Sequence, residues 1–294
     1  MLQPAVESPP AASFNRRARF VRGWKRFAHG GLPAVGLFWL LVLVATAIFT
    51  PQTPTLGNVF AGNEGPSLQY PFGTDAVGQS LLYLCMQGIR YTLLVSCTAT
   101  LISAIVGMAM GLTAGMAAPW LDQILMRITD LFFSFPSFVA AVSLMFLLGH
   151  GDVAIIMIIG LTQWAGYSRL TRALVRPLRE SDLAASAEVI GATKFYASMR
   201  YIFPSVVYNL LVYTAFNIVN VITLLAMLSF FAGLQPPPPA VSFGSLIELS
   251  VTNMLGFPWE FYFPVLALAS ILFAFTVVGD GLQAWLNPKG ANQL

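Results

Sequence analysis

Long stretches without a charged residue are the feature that most limits how this chain can fold. No Asp, Glu, Lys or Arg occurs in residues 91–121 or in residues 201–247. Over the whole sequence 57% of the residues are hydrophobic and 9% are charged, whereas soluble domains carry about 25% charged residues. A chain of this composition cannot cover its apolar surface in water, so the sequence predicts an integral membrane protein.

Six apolar stretches are candidates for transmembrane helices, because a helix needs about 20 mostly apolar residues to cross a bilayer. We therefore predict an all-α polytopic membrane protein. Pro136 falls inside the third stretch and predicts a kink or a break, since proline removes a helical hydrogen bond. The bend is either structural only or a moving, gating part of a pore. The stretches are residues 33–50, 91–121, 127–148, 153–168, 203–234 and 261–278.

The basic residues predict the orientation, because cytoplasmic segments of membrane proteins are rich in Lys and Arg. With six spans and a cytoplasmic N-terminus, all of the fifteen Lys and Arg residues except Arg90 fall on the cytoplasmic side. We expect both termini to be cytoplasmic. A cleaved signal sequence ending at Ala45-Thr46-Ala47 is the alternative, but its charged leader of about 30 residues would be too long.

A row of glycines and one acidic residue inside the spans have structural interpretations. Gly107, Gly111 and Gly115 recur every four residues, so they share one helix face and predict close helix packing. That contact is within the chain or, alternatively, between subunits. Asp130 lies three residues after Arg127, and this spacing predicts an ion pair between them.

A polar segment, residues 182–202, separates the fourth and fifth apolar stretches. Its apolar residues form a helical stripe on each side of Gly191. This pattern predicts two short cytoplasmic helices, joined at the glycine, that dock a soluble partner. A solvated loop is the alternative, but apolar stripes favour burial against another surface. The stripes are Leu183, Ala187 and Ile190, then Phe195, Met199 and Ile202.

This arm resembles the EAA loop of ABC importer permeases, whose pattern is Glu-Ala-Ala, three residues, Gly, nine residues and Ile-x-Leu-Pro. Ala187, Gly191 and Pro204 match the second alanine, the glycine and the proline. Ala185 stands in place of the glutamate and Ser186 in place of the first alanine. The resemblance implies that the arm contains coupling helices that contact an ATPase. The implied contact residues are Ala185, Ser186, Ala187, Glu188, Gly191, Ala192, Thr193, Lys194, Phe195 and Arg200.

Three further segments resemble the branch of these permeases that imports oligopeptides, dipeptides, nickel and metallophores. Residues 72–75 read Phe-Gly-Thr-Asp, residues 228–230 read Leu-Ser-Phe before a Gln-Pro-Pro, and residues 279–282 read Gly-Asp-Gly-Leu. The resemblance implies the type I ABC importer transmembrane fold with six transmembrane helices. We also expect an external lip that meets a binding protein. Its predicted residues are Phe72, Gly73, Thr74, Asp75, Gln235, Pro236 and Pro237.

The function that the resemblance implies is half of a translocation pore for peptides or peptide-like solutes, in a bacterial inner membrane. The implied partners are a second, distinct permease, two ABC ATPase subunits and an external solute-binding protein. ATP and Mg²⁺ would be used by the ATPases, because this sequence has no G-x-x-x-x-G-K-[ST] phosphate loop. We expect no catalytic residue, cofactor or metal site in this chain, since its histidines and cysteines are isolated.

Three alternative functions remain: a permease for nickel, metallophores or another small solute, a secondary transporter, and a membrane-embedded enzyme. A secondary transporter usually needs acidic residues or histidines across the bilayer, and an enzyme needs convergent catalytic groups. The sequence shows neither pattern. The predicted segments are residues 1–32 (basic N-terminal segment), 33–50 (first span), 51–88 (external), 89–284 (core, with the arm at 182–202) and 285–294 (cytoplasmic tail).

Overall fold

Long apolar runs become long helices in this chain. The computed structural model describes residues 31–51, 57–179, 203–236 and 240–286. Within these residues it has eight α-helices and, apart from one isolated bridge between Thr74 and Ser80, no β-structure. The helices are α1 (Leu32–Phe49), α2 (Leu81–Met116), α3 (Pro119–Ser134), α4 (Ser137–Leu148), α5 (Asp152–Arg179), α6 (Phe203–Phe231), α7 (Phe243–Val251) and α8 (Pro258–Leu286).

Five of these helices are long and apolar enough to cross a membrane: α1, α2, α5, α6 and α8. The pair α3 and α4 passes the same test together, although its two helices meet at an angle of 90°. Counted as one span, this pair brings the total in the described residues to six. The break lies at Phe135 and Pro136, where both residues have extended backbone, and the missing proline N–H accounts for its position.

The helices alternate in direction, which gives the bundle two ends. We call the end that holds residues 57–80, α7 and the start of α8 the loop end. We call the opposite end, where α5 finishes and α6 begins, the arm end. The arm of residues 182–202 lies outside the described residues, as do residues 1–30 and 287–294.

Several helix boundaries differ from the sequence-based expectation: the third span begins at Pro119 and not at residue 127, and the last one continues to Leu286 and not to residue 278. The helix α2 begins at Leu81, ten residues before the uncharged run at Tyr91, because the polar side chains in its early turns find partners. Gln87 Nε2 donates to the Pro51 carbonyl at 2.5 Å, and Arg90 Nη1 donates to the Thr50 carbonyl at 3.1 Å. At the arm end, α5 continues past Ser168 to Arg179.

The contact between α2 and α5 forms the centre of the bundle. A Cβ atom on Gly107 would lie 2.3 Å from the Trp164 carbonyl oxygen, and one on Gly111 would lie 2.4 Å from the Ser168 carbonyl oxygen. Ser103 Oγ also donates across the pair, to the Gly160 carbonyl at 2.9 Å. Small residues on α2 thus let the two backbones approach closely.

Candidate functional site

The arm end contains a row of arginines on one face of α5. Arg169, Arg172, Arg176 and Arg179 follow helical spacing. Both carboxylate oxygens of Asp122 in α3 accept hydrogen bonds from Arg172, from Nη2 at 2.6 Å and from Nε. Arg176 lies 3.8 Å from the same carboxylate. The Asp122 side chain is only 12% exposed, so this ion pair fastens α3 to α5 at a partly desolvated site.

A second ion pair joins the same two helices nearer the break. Arg169 Nη2 lies 2.8 Å from Asp130 Oδ1, and the Arg169 guanidinium lies 4.1 Å from the centre of the Phe133 ring. The predicted partner of Asp130 was Arg127, and this prediction is wrong. The spacing within one helix favours Arg127, but α5 presents Arg169 with a forked guanidinium that can also stack on Phe133.

The last arginine of the row, Arg179, donates hydrogen bonds to backbone carbonyls at the C-terminal end of α2. Arg179 Nη1 donates to the Ala117 carbonyl at 2.8 Å and approaches the Gly115 carbonyl at 3.4 Å. These carbonyls have no partner within the helix, because the last turn of any helix leaves its carbonyls unpaired. The C-terminal turn of α5, which leads into the arm, is therefore bound directly to α2 as well as to α3.

A cavity of about 290 Å³ lies beside the break between α3 and α4. The aromatic residues before the break form one wall, and α5 and α6 form the others. Polar side chains of α4, α5 and α6 reach this cavity although all three helices are largely apolar. The lining residues are Phe132, Phe133, Phe135, Pro136, Ser137, Thr162, Gln163, Ala165, Gly166 and Tyr213.

The predicted lip residues at the loop end are largely buried. Thr74 is fully buried, and its Oγ1 donates to the Ala61 carbonyl at 2.6 Å and accepts from the Glu64 N–H at 2.8 Å. Phe72 stacks on Phe263 with ring centres 4.3 Å apart. Gly73 has a φ of 80°, and a Cβ atom there would lie 2.8 Å from the Trp259 ring. These residues therefore shape the loop end from within.

The rest of the predicted lip divides by exposure. Asp75 is half-buried, Gln235 is exposed and Pro236 is buried, while Pro237 lies outside the described residues. Sequence reasoning missed the apolar side chains that the loop end exposes most, Phe60, Leu68 and Leu255, whose exposures of 98% or more make them fully solvent-accessible. The available signal was an isolated large apolar residue within a polar loop.

The remaining predicted residues are placed as follows. Gly107, Gly111 and Gly115 all face α5, where a Cβ atom on Gly115 would lie 2.7 Å from Val175. Pro136 lines the cavity at the break. The ten predicted arm residues lie outside the described part of the chain. Among the described residues, no group of His, Cys, Asp or Glu could hold a metal ion, and Cys85 and Cys97 are both free thiols.

A helical bundle with five or six candidate spans among the described residues defines a polytopic membrane protein. The chain belongs to the family of binding-protein-dependent transport system inner membrane components, whose model matches residues 107–291. It is therefore a multi-pass inner-membrane protein, and a permease component of such a system.

Curated relatives agree over nearly the whole chain. A protein of Brucella suis biovar 1, provisionally named a peptide permease, is 33% identical over 97% of this chain and 93% of its own length. The glutathione transport system permease protein GsiD of Shigella dysenteriae is 31% identical over 90% of this chain and 89% of its own. The oligopeptide transport system permease protein OppC of Bacillus subtilis is 28% identical, with 90% of both chains covered.

One solved structure has a similar fold. It is the MetNI methionine ABC transporter in an inward-facing conformation, with a TM-score of 0.56 over 70% of this chain and 97% of the matched chain. The sequence identity is 15%, so this similarity concerns the fold alone. It confirms the predicted type I ABC importer transmembrane fold.

Proposed function

We propose that this protein is one half of the translocation pore of an ATP-driven importer for peptides or peptide-like solutes. The observation that carries the proposal is family membership together with relatives named for peptide, oligopeptide and glutathione transport. The competing cargo within the same family is a nickel ion or a metallophore. A second, distinct permease would complete the pore.

The arm end is, in this proposal, the cytoplasmic side, where two ATPase subunits that use ATP and Mg²⁺ dock on residues 182–202. The ion pairs of α5 with α3, and the hydrogen bonds of Arg179 to the end of α2, support this role. A displacement of the arm would be passed through Arg172 and Arg179 to both neighbours at once. Both chain termini would then be cytoplasmic.

The loop end is, in this proposal, the external side, where the solute-binding protein docks. The exposed Phe60, Leu68 and Leu255 would form part of that contact, because isolated large apolar side chains at a rigid surface are common anchors of protein interfaces. The half-buried Phe72 and the buried Gly73 and Thr74 would keep the loops that carry these side chains in place.

The proposal is tested by replacing Gly191 with tryptophan in the complete transporter. A bulky side chain at the joint of the arm should abolish uptake of a labelled tripeptide while the protein still inserts in the membrane. Uptake would be measured in proteoliposomes that contain both permeases, the ATPases and the binding protein, with nickel(II) uptake measured in parallel.

The matched control is Gly151→Trp. A Cβ atom on Gly151 meets no atom within 4 Å, so this variant adds the same bulk in open space and should transport normally. Wild-type uptake by the Gly191 variant would contradict the role of the arm. Uptake of nickel(II) without uptake of peptide would contradict the proposed cargo.

A further inference from the structure

The polar lining of the cavity at the α3–α4 break is unusual for its surroundings. Uncompensated polar groups are costly in an apolar membrane layer, and those that occur there often mark a path for solute. Gln163 of α5 lines the cavity, and its carboxamide has no hydrogen-bond partner among the residues that the structure describes. A free carboxamide can donate two hydrogen bonds and accept others.

Two neighbouring side chains add to the same polar surface. A Cβ atom on Gly166 would lie 2.0 Å from the Tyr213 hydroxyl, so the glycine leaves the space that this hydroxyl occupies. The Tyr213 ring packs edge-on against Tyr167 with ring centres 4.7 Å apart, which fixes its direction. Thr162 Oγ1 donates to the Ile159 carbonyl at 3.0 Å, and its oxygen still has acceptor capacity.

None of the described residues that line this cavity carries a charge. Neutral donors and acceptors beside aromatic rings suit the amide groups of a peptide backbone, whereas a bare metal cation would need carboxylate or imidazole ligands. The charged groups nearest along α5 and α3 are Arg169 and Asp130, which neutralise each other at 2.8 Å, with Arg169 stacked on the lining residue Phe133. This ion pair lies on the arm-end side of the cavity.

We propose that the cavity at the α3–α4 break is a solute-contact site on the translocation path, in which Gln163, Thr162 and Tyr213 hydrogen-bond the backbone amides of a passing peptide. The peptide as ligand rests on the proposed function. The position of the cavity on a water-filled path does not rest on the proposed function. The path and the peptide contact can therefore be tested separately.

The path is tested by cysteine labelling in the assembled transporter in proteoliposomes, with Cys85 replaced by alanine and Cys97 by serine. The probe is the charged, water-borne thiol reagent methanethiosulfonate ethyltrimethylammonium. The variants Gln163→Cys and Tyr213→Cys should react about a hundredfold faster than a lipid-facing site at the same depth, because a charged group is excluded from hydrocarbon.

The matched control is Ile105→Cys. Gly160 lies beside Ile102, and Gly107 beside Trp164, so Ile105 of α2 and Gln163 of α5 are at similar depths. Ile105 is 56% exposed and is not among the residues that line the cavity. Equal, slow labelling of Gln163→Cys and Ile105→Cys would overturn the path assignment, and it would do so whatever the transporter carries.

The peptide contact is tested with tri-alanine delivered by the binding protein. Tri-alanine should slow labelling of Gln163→Cys, and Gln163→Leu should lower tri-alanine uptake about tenfold by removing a hydrogen bond. Gln163→Asn, which keeps a carboxamide, should restore most of the uptake. If the wild type takes up tri-alanine but Gln163→Leu does so equally well, the contact is absent. If the wild type takes up no peptide, the proposed function fails instead.

Discussion

Single residues at the loop end show how a short sequence motif is used. The Phe-Gly-Thr-Asp segment combines a ring stack, a positive φ, a buried hydroxyl and a carboxylate within four consecutive positions. Asp75 Oδ1 accepts hydrogen bonds from the Gln79 N–H at 2.7 Å and the Val77 N–H at 3.1 Å. The Thr74 and Asp75 side chains therefore satisfy backbone groups in a loop that lacks regular structure.

Asp75 gives a prediction about pH. Burial raises the pKa of Asp75 above its ordinary value of 3.8, against the opposing effect of the hydrogen bonds from the Gln79 and Val77 backbone. Folding therefore favours the protonated carboxyl, and the stability that protonation contributes is lost as pH rises through the raised pKa. The variant Asp75→Asn keeps an acceptor oxygen without the charge. Its Tm relative to the wild type should therefore increase between about pH 4 and pH 7.

The measurement is the thermal unfolding of the purified protein in detergent at each pH. Asp75→Ala serves as the comparison, because it removes the acceptor as well and should lower Tm at every pH, by about 1 kcal/mol of stability for each lost hydrogen bond. A Tm difference between Asp75→Asn and the wild type that is independent of pH would show that Asp75 does not titrate as described.

At the scale of elements, two ion pairs of different burial hold α3 on α5. The Asp122–Arg172 pair has side-chain exposures of 12% and 27%, whereas the Asp130–Arg169 pair has exposures of 50% and 53%. Buried pairs are costly to break because one charge is left without its partner, whereas exposed pairs contribute little. The helix α3 should therefore be held mainly at its N-terminal end and be freer near the break.

The variants Asp122→Asn and Asp130→Asn test this difference. The first leaves Arg172 without its counter-charge and should lower stability by about 3 kcal/mol. The second should change stability by about 1 kcal/mol or less. Both are measured as changes in Tm of the purified protein. Equal effects would mean that the two ends of α3 are held with similar strength.

The sequence predicted the elements better than it predicted their ends and contacts. Uncharged runs and Pro136 were enough for six spans and a broken third one, because both signals are local. The early start of α2 depends on carbonyls of a distant segment that accept from Gln87 and Arg90. The partner of Asp130 comes from α5, thirty-nine residues away, and the cavity is lined by residues of four helices. Such contacts are set by the tertiary arrangement, so periodicity along one helix cannot reveal them.

In the part of the molecule that the structure describes, a polar cavity lies near the middle of α5, and the two ends have differently built surfaces. The loop end exposes large apolar side chains, and the arm end carries a row of arginines with two carboxylates. This asymmetry suits a protein that meets different partners on the two sides of a membrane.

The orientation is tested by labelling in intact spheroplasts with a membrane-impermeant thiol reagent. In a background without Cys85 and Cys97, Leu68→Cys should be labelled from outside, because Leu68 is fully exposed at the loop end. Ala192→Cys, in the arm, should be labelled only after the membrane is permeabilised. The reverse pattern would place the arm outside and would refute docking of a cytoplasmic ATPase there.

The tight pairing of α2 with α5 also bears on biogenesis. The two helices are separated in the sequence by residues 117–151, so α2 leaves the ribosome well before the helix that covers it. Until α5 is synthesised, the glycine face of α2 lacks the α5 backbone against which it later packs. The Ser103 hydroxyl likewise lacks the Gly160 carbonyl to which it later donates. Nascent α2 therefore stays at the insertion machinery or in lipid without its final packing partner. A chain truncated before residue 152 would expose the glycine face of α2, which cellular quality control can recognise.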